Sequence, residues 1–203
     1  MTIRIALLLS ALLGVPASAQ PATPPTDEAP KDDLVRVVLD TVQGRIVLAL
    51  DRGKAPATVA NFLRYVEARR FDGITFYRAM PYGSGGGLIQ AGITKDARLL
   101  FPPIKHESTA DTGLRHVEGA ISMANAGPGT ARSDFFILAG PIPALDATAA
   151  DPGFAVFGRV VEGMDVVKAI LAAPTDPAKG EGAMKGQMLA QPVVIRTAGR
   201  LAE

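Results

Sequence analysis

From Leu34 onward the chain alternates. Val35, Val37 and Leu39 stand between Arg36, Val38 and Asp40, and after Val42-Gln43-Gly44 a second run alternates through Ile46, Leu48 and Leu50. Two runs of period two around a short glycine-containing turn predict a β-hairpin. The period then changes. Pro56 occupies a first helical position, and Val59, Phe62, Leu63 and Val66 follow the i, i+3, i+4, i+7 spacing with Arg64, Glu67 and Arg69 turned away. That spacing predicts one amphipathic helix ending near Arg70.

Past the turn Phe71-Asp72-Gly73, residues 74–80 read as a strand with Phe76 and Arg78 on one face. Residues 81–87, PYGSGGG, read as a flexible loop, and residues 88–93 as a strand with Leu88 and Gln90 on one face. Residues 97–118 are mixed, broken by Phe101-Pro102-Pro103 and Asp111-Thr112-Gly113. Strands at 119–124 and 135–138 flank a segment of small residues in which Gly127-Pro128-Gly129 forbids a central strand. Such loops, held between rigid elements, are where binding residues concentrate. A strand at 154–161, a short second helix at 163–171, a Gly/Pro-containing loop at 174–191 and a strand at 193–197 complete the pattern. About eight short strands and two helices without a βαβ rhythm predict a mainly β fold, an antiparallel closed barrel with helices over its ends.

The first 33 residues carry a different signal. Arg4 precedes an apolar run from Ile5 to Leu13 broken only by Ser10, and Ala17-Ser18-Ala19 supplies a small-x-small cleavage pattern. The run is shorter than the ~20 residues that span a bilayer. Residues 1–19 are therefore expected to be a cleaved secretory signal, giving a periplasmic or secreted protein. Residues 20–33, QPATPPTDEAPKDD, are expected to be a Pro-rich linker, and residues 34–203 the folded domain. Arg4 is one of 21 cations, so cleavage leaves 20 Lys+Arg against 20 Asp+Glu. A formal charge of zero argues against nucleic acid or an anionic membrane surface as partner. No cysteine is present, so neither a disulfide nor a lipid-modified cysteine enters the picture.

Several catalytic patterns are missing from the sequence. There is no G-x-S-x-G elbow, and the glycine-rich loop lacks the Gly-Lys-Ser/Thr ending of a phosphate cradle. His106 and His116 are the only histidines; neither is expected to bind metal, and both are expected at the surface or a barrel end. What remains is a set of polar and apolar residues: Arg78 beside Phe76, Gln90 beside Leu88, and Asn125 in the loop before Phe136. Taken singly, each has an ordinary structural explanation.

Together their wording is specific. FDGITFYR, LIQAG, MANAGPGTARSDFFI, and Leu145-Asp146 followed by FAVFGRVVEGMDVV closely resemble the cyclophilin family, from about Val35 to Ile195. The resemblance implies a closed eight-stranded antiparallel barrel capped by two helices. It also implies cofactor-free and metal-free peptidyl-prolyl cis-trans isomerase activity. Arg78 falls on the family's catalytic arginine and Gln90 on its substrate-orienting glutamine. Ala124, Asn125 and Ala126 match the segment whose backbone pairs with an extended peptide. Leu88, Phe136 and Leu145 match the proline pocket, Phe154 its rim, and Phe76 belongs with the substrate-binding set. The expected partners are proline-containing peptides and unfolded exported proteins, with no stable membrane insertion after signal cleavage, and the expected state is a monomer.

Three positions depart from the family pattern. Gly87 replaces a pocket phenylalanine, Ala144 a tryptophan that matters for cyclosporin binding, and Asp134 a substrate-binding glutamine. Asp134 is expected to keep its contact with substrate and to pair with Arg78 or Arg132. These departures predict a shallower pocket and slower turnover. They keep open a second function, a proline-peptide binding module or chaperone with little turnover.

Overall fold

The computed structural model describes residues 33–201. The expected signal at residues 1–19 and the linker up to residue 32 lie outside the described residues. β1 (Leu34–Thr41) and β2 (Gly44–Asp51) form the predicted hairpin, with Val37 opposite Leu48 and Leu39 opposite Ile46. α1 (Pro56–Glu67) starts at the proline and carries no cap of its own. Its first N–H groups are satisfied instead by Glu107, which accepts from Ala57 N at 3.0 Å and Thr58 N at 2.8 Å. A carboxylate at the positive end of the helix dipole is favourable. The helix stops short of Arg70 because Arg69 turns left-handed (φ 56°) and Arg70 N–H returns to the Tyr65 carbonyl.

β3 (Thr75–Tyr82) and β4 (Gly86–Gly92) correct the expected loop at 81–87. Pro81 pairs with Gly87 and Tyr82 with Gly86, so only Gly83-Ser84-Gly85 turns. Both of those glycines have positive φ, which suits a tight turn between strands. There follow α2 (Thr109–Thr112, a single turn), β5 (Ala120–Met123), β6 (Phe135–Leu138), β7 (Ala155–Glu162), α3 (Met164–Leu171), β8 (Thr175–Asp176) and β9 (Met188–Arg200). β9 is longer than the predicted strand at 193–197. Pro192 falls where β9 lets go of β3: Phe76 pairs with Val193, but Arg78 pairs with Met188, and Leu189 pairs with Thr175 of β8. A proline is tolerated there because no ladder bond needs its N–H.

The strand order β1-β2-β7-β5-β6-β4-β3-β9 closes through a β1–β9 pairing, all antiparallel, with β8 as a two-residue appendage on β9. The interior holds Val37, Leu39, Ile46, Leu48, Phe76, Phe135 and Phe157, all fully buried. Phe62 of α1 lies 5.1–5.3 Å from the rings of Phe71, Phe135 and Phe157. Each such aromatic pair adds about 0.5–1.5 kcal/mol beyond area burial.

A second apolar cluster, Leu88, Ala120, Phe136, Leu138, Ile142 and Val156, is separate from that core. It gathers residues from the opposite face of the same strands. β5 and β6 are thus buried on both faces, which is why FFIL reads as a continuous apolar run rather than an alternation.

Candidate active site

A bulge in β3 places the site. Phe76 stands opposite Ala91 and Arg78 opposite the very next residue, Gln90, so Tyr77 is an extra residue in β3. One inserted residue reverses the alternation. Phe76 therefore points into the barrel, fully buried, with its ring 6.1 Å from Phe135. It does not line the cleft, which corrects its place in the substrate-binding set and its shared face with Arg78. Arg78 emerges on the outer wall.

There, successive pairings Arg78–Gln90, Gln90–Phe136, Phe136–Ser122 and Ser122–Val156 run across β3, β4, β6, β5 and β7. Residues directly opposite one another share a face. The row joins a cation, an amide and an aromatic ring through five strands, and its first three members line a cleft of about 660 Å³. Leu88, Leu145 and Phe154 form apolar walls, and the Phe154 ring meets Phe136 edge-on at 5.5 Å.

The guanidinium of Arg78 is held by neutral groups. Nη1 donates to Gln90 Oε1 at 2.8 Å, and Nε and Nη2 donate to Gln187 Oε1 at 2.8 and 2.6 Å. Nη2 also lies 3.4 Å from Met80 Sδ. Burial lowers the Arg78 pKa, but an arginine remains charged at any working pH.

Beside it, Asp134 pairs with neither Arg78 nor Arg132, against the expectation from the sequence. Its carboxylate accepts from the Tyr77 hydroxyl at 2.7 Å and the Ser133 hydroxyl at 3.1 Å. Burial holds Asp134 above the ordinary carboxylate range, against the pull of those two bonds. Burial and then the Asp134 charge push the Tyr77 hydroxyl up in turn. Gly92 makes the arrangement possible: a Cβ there would sit 2.5 Å from the Asp134 carboxyl carbon.

The opposite rim is main chain. Ala124 N–H donates to the Asp134 carbonyl, and Ala126 N–H is taken by Thr130 Oγ1 at 2.9 Å. Asn125 Oδ1 accepts from Gly127 N–H at 3.0 Å, which shapes the turn. Among the described residues the N–H and C=O of Asn125 itself have no partner, and its buried Nδ2 has none either. Ala124, Asn125 and Ala126 all line the cleft.

Two other expectations change. Gly87 does not line the cleft; a side chain there would run into the Met80 carbonyl and Leu171 of α3. His116 is buried, not at the surface. Its ring stacks on Phe136, with Nδ1 2.7 Å from Asp146 Oδ1 and Nε2 3.0 Å from Ser122 Oγ. A carboxylate only accepts, so Nδ1 carries a proton, and burial holds the His116 pKa down against the pull of Asp146. His106 is partly exposed, 3.1 Å from the Pro152 carbonyl. Residues with no local sequence signal also join the cleft: Tyr77, Met184 and Met188, together with Gln187 on the guanidinium. Three of these come from the stretch that reads as a loop before the last strand.

The family model "Cyclophilin type peptidyl-prolyl cis-trans isomerase/CLD" matches residues 34–200. Peptidyl-prolyl cis-trans isomerase A of Dickeya dadantii is 41% identical over 144 residues, 69% of this chain and 73% of the relative. Peptidyl-prolyl cis-trans isomerase cyp18 of Streptomyces antibioticus is 40% identical over 169 residues, 80% of this chain and 96% of the relative. Among solved structures, a cyclophilin type peptidyl-prolyl cis-trans isomerase of Cryptosporidium parvum, crystallised in the presence of the dipeptide Ala-Pro, shares the fold. Its TM-score is 0.66 at 20% identity, covering 83% of this chain and 99% of that one. The chain belongs to the cyclophilin-type peptidyl-prolyl cis-trans isomerase family.

Proposed function

We propose that this isomerase accelerates rotation about Xaa-Pro bonds in exported polypeptides, with Arg78 as the catalytic donor. The reaction makes and breaks no covalent bond, but it must overcome amide resonance, a barrier of ~18–20 kcal/mol. At the twisted transition state the prolyl nitrogen pyramidalises and regains a lone pair. A hydrogen bond from Arg78 to that nitrogen exists only then, so it lowers the barrier rather than merely tightening binding. One charge-assisted bond contributes about 1.5–3 kcal/mol, about ten- to a hundredfold in rate. The remainder comes from gripping the substrate. Phe136, Leu88, Leu145 and Phe154 take the proline ring, the free main-chain groups of Asn125 take the extended peptide, and Gln90 orients both Arg78 and substrate. The observation that carries this reading is a guanidinium fixed beside the Phe136 pocket, among the described residues, by the uncharged side chains of Gln90 and Gln187. The Ala-Pro dipeptide used with the Cryptosporidium relative supports a proline-containing peptide as ligand.

NMR exchange spectroscopy on an Xaa-Pro peptide tests it. Wild type speeds cis–trans exchange, and Arg78→Ala loses that acceleration while still binding the peptide. Binding without acceleration in the wild type would instead make the chain a proline-peptide binding module. The export part rests on the pattern of residues 1–19 and is checked by the N-terminus of protein recovered from the periplasm or medium, expected at Gln20. A protein that keeps residues 1–19 in the cytoplasm refutes export.

A further inference from the structure

Arg78 is gripped from a part of the chain far from the family motifs. Gln187 takes the Nε–Nη2 edge of the guanidinium, at 2.8 and 2.6 Å, while Gln90 takes Nη1. Gln187 is itself tied down at every polar atom. Its Nε2 donates to the Ala183 carbonyl at 2.8 Å, which fixes the amide with its oxygen toward Arg78. Its N–H donates to the Met184 carbonyl, and its C=O accepts from Ala79 N–H of β3. The turn that carries Ala183 and Met184, Gly182–Met184, is closed by Lys185 N–H to Gly182 O and by Gly186 N–H to Lys179 O. Met184 and Met188 on either side of Gln187 line the cleft.

The chemistry of this partner matters as much as its position. A carboxylate on the Nε–Nη2 edge would form a bidentate ion pair and offset the positive field of the guanidinium. An amide oxygen fixes the same edge and leaves the charge intact. We propose that Gln187 is a positioning residue of the isomerase reaction, holding Arg78 in one orientation and fully charged toward the cleft. The proposal rests on the reading of Arg78 as catalytic donor. It makes the excursion between β8 and β9 part of the active site.

The test compares the full-length wild type with Gln187→Ala and Gln187→Glu, measuring peptide exchange at several concentrations and thermal midpoints. Gln187→Ala is expected to lower kcat about tenfold, the equivalent of one charge-assisted bond held out of line, with KM within about twofold. Gln187→Glu, the same size, is expected to lose at least as much, because its carboxylate pairs with the guanidinium and offsets the positive field that faces the cleft. In wild type the Arg78 Nε–H gives a slowly exchanging NMR resonance that Gln187→Ala abolishes. Wild-type kcat in either variant overturns the proposal, as does a rise in KM with kcat unchanged. Should Gln187→Ala unfold, the size-matched Gln187→Glu decides alone. A wild type that does not accelerate exchange refutes the catalytic reading of Arg78 itself, a result separate from any difference among the variants.

Discussion

The His116 ring lies parallel to that of Phe136, with centroids 5.9 Å apart and planes 15° apart, directly behind the pocket floor. Asp146 and Ser122 hold its two nitrogens, and Arg115 approaches Asp146 from the far side at 3.8 Å. The serine, histidine and carboxylate are arranged like a hydrolytic triad, but Ser122 is completely buried and cannot meet a substrate. The network instead backs the floor of the pocket.

His116→Phe keeps the stacking and removes both hydrogen bonds. Leaving the Ser122 hydroxyl and an Asp146 oxygen short of partners costs about 1–3 kcal/mol, read as a lower urea midpoint with unchanged m-value. The pH dependence has a definite sign. The folded pKa of His116 lies below the unfolded value, so its contribution is complete above about pH 6.5 and is lost as the pH falls through the folded value. Wild type should lose stability on acidification from neutral pH, and His116→Gln should lose less.

Asp134 titrates in the opposite sense. Its folded pKa is raised, so it favours the fold most below about pH 3.9 and costs stability once it ionises. Asp134→Asn keeps an acceptor for Tyr77, and the Ser133 hydroxyl can turn to accept from the new amide. The variant should melt higher than wild type at pH 7, with the difference shrinking toward pH 3. Equal midpoints at both pH values would show that the buried carboxylate carries no penalty.

Gly92 and Asp134 should be coupled. Gly92→Ala drives a Cβ into the carboxylate and should cost about 1–3 kcal/mol, as overpacking generally does. In Asp134→Gly the space is open, and the same alanine should cost far less. A double-mutant cycle by chemical denaturation reads the coupling directly, and additive effects would refute the contact.

Much of this was legible because local pattern and local structure agree. The β1–β2 hairpin, the apolar face of α1 and the Phe135–Leu138 strand all follow from period and composition. So does the shared face of Leu88 and Gln90, two residues apart in an unbroken strand. Phe76 and Arg78 are also two apart, and there the same rule fails, because Tyr77 is an extra residue that only the partner strand reveals. Gln187 was illegible for a different reason. It stands 109 residues from Arg78, in a stretch whose glycines and prolines read as loop, and only closure of the barrel brings the two together. His116 gave no signal because a lone histidine is as easily a surface residue as a core one, and what buries it is an aromatic ring twenty residues later.

The row from Arg78 to Val156 lies on the outer wall of a barrel whose lumen is filled with side chains. A polypeptide engaging it need not be threaded, and neither of its ends need be free. On the reading of that row as the substrate site, the enzyme would be able to settle on the middle of a long chain, or on a loop of a nearly finished protein, and leave sideways. Access to such a site would then be set by how far the neighbouring chain can be held extended, not by the length of the molecule to which it belongs.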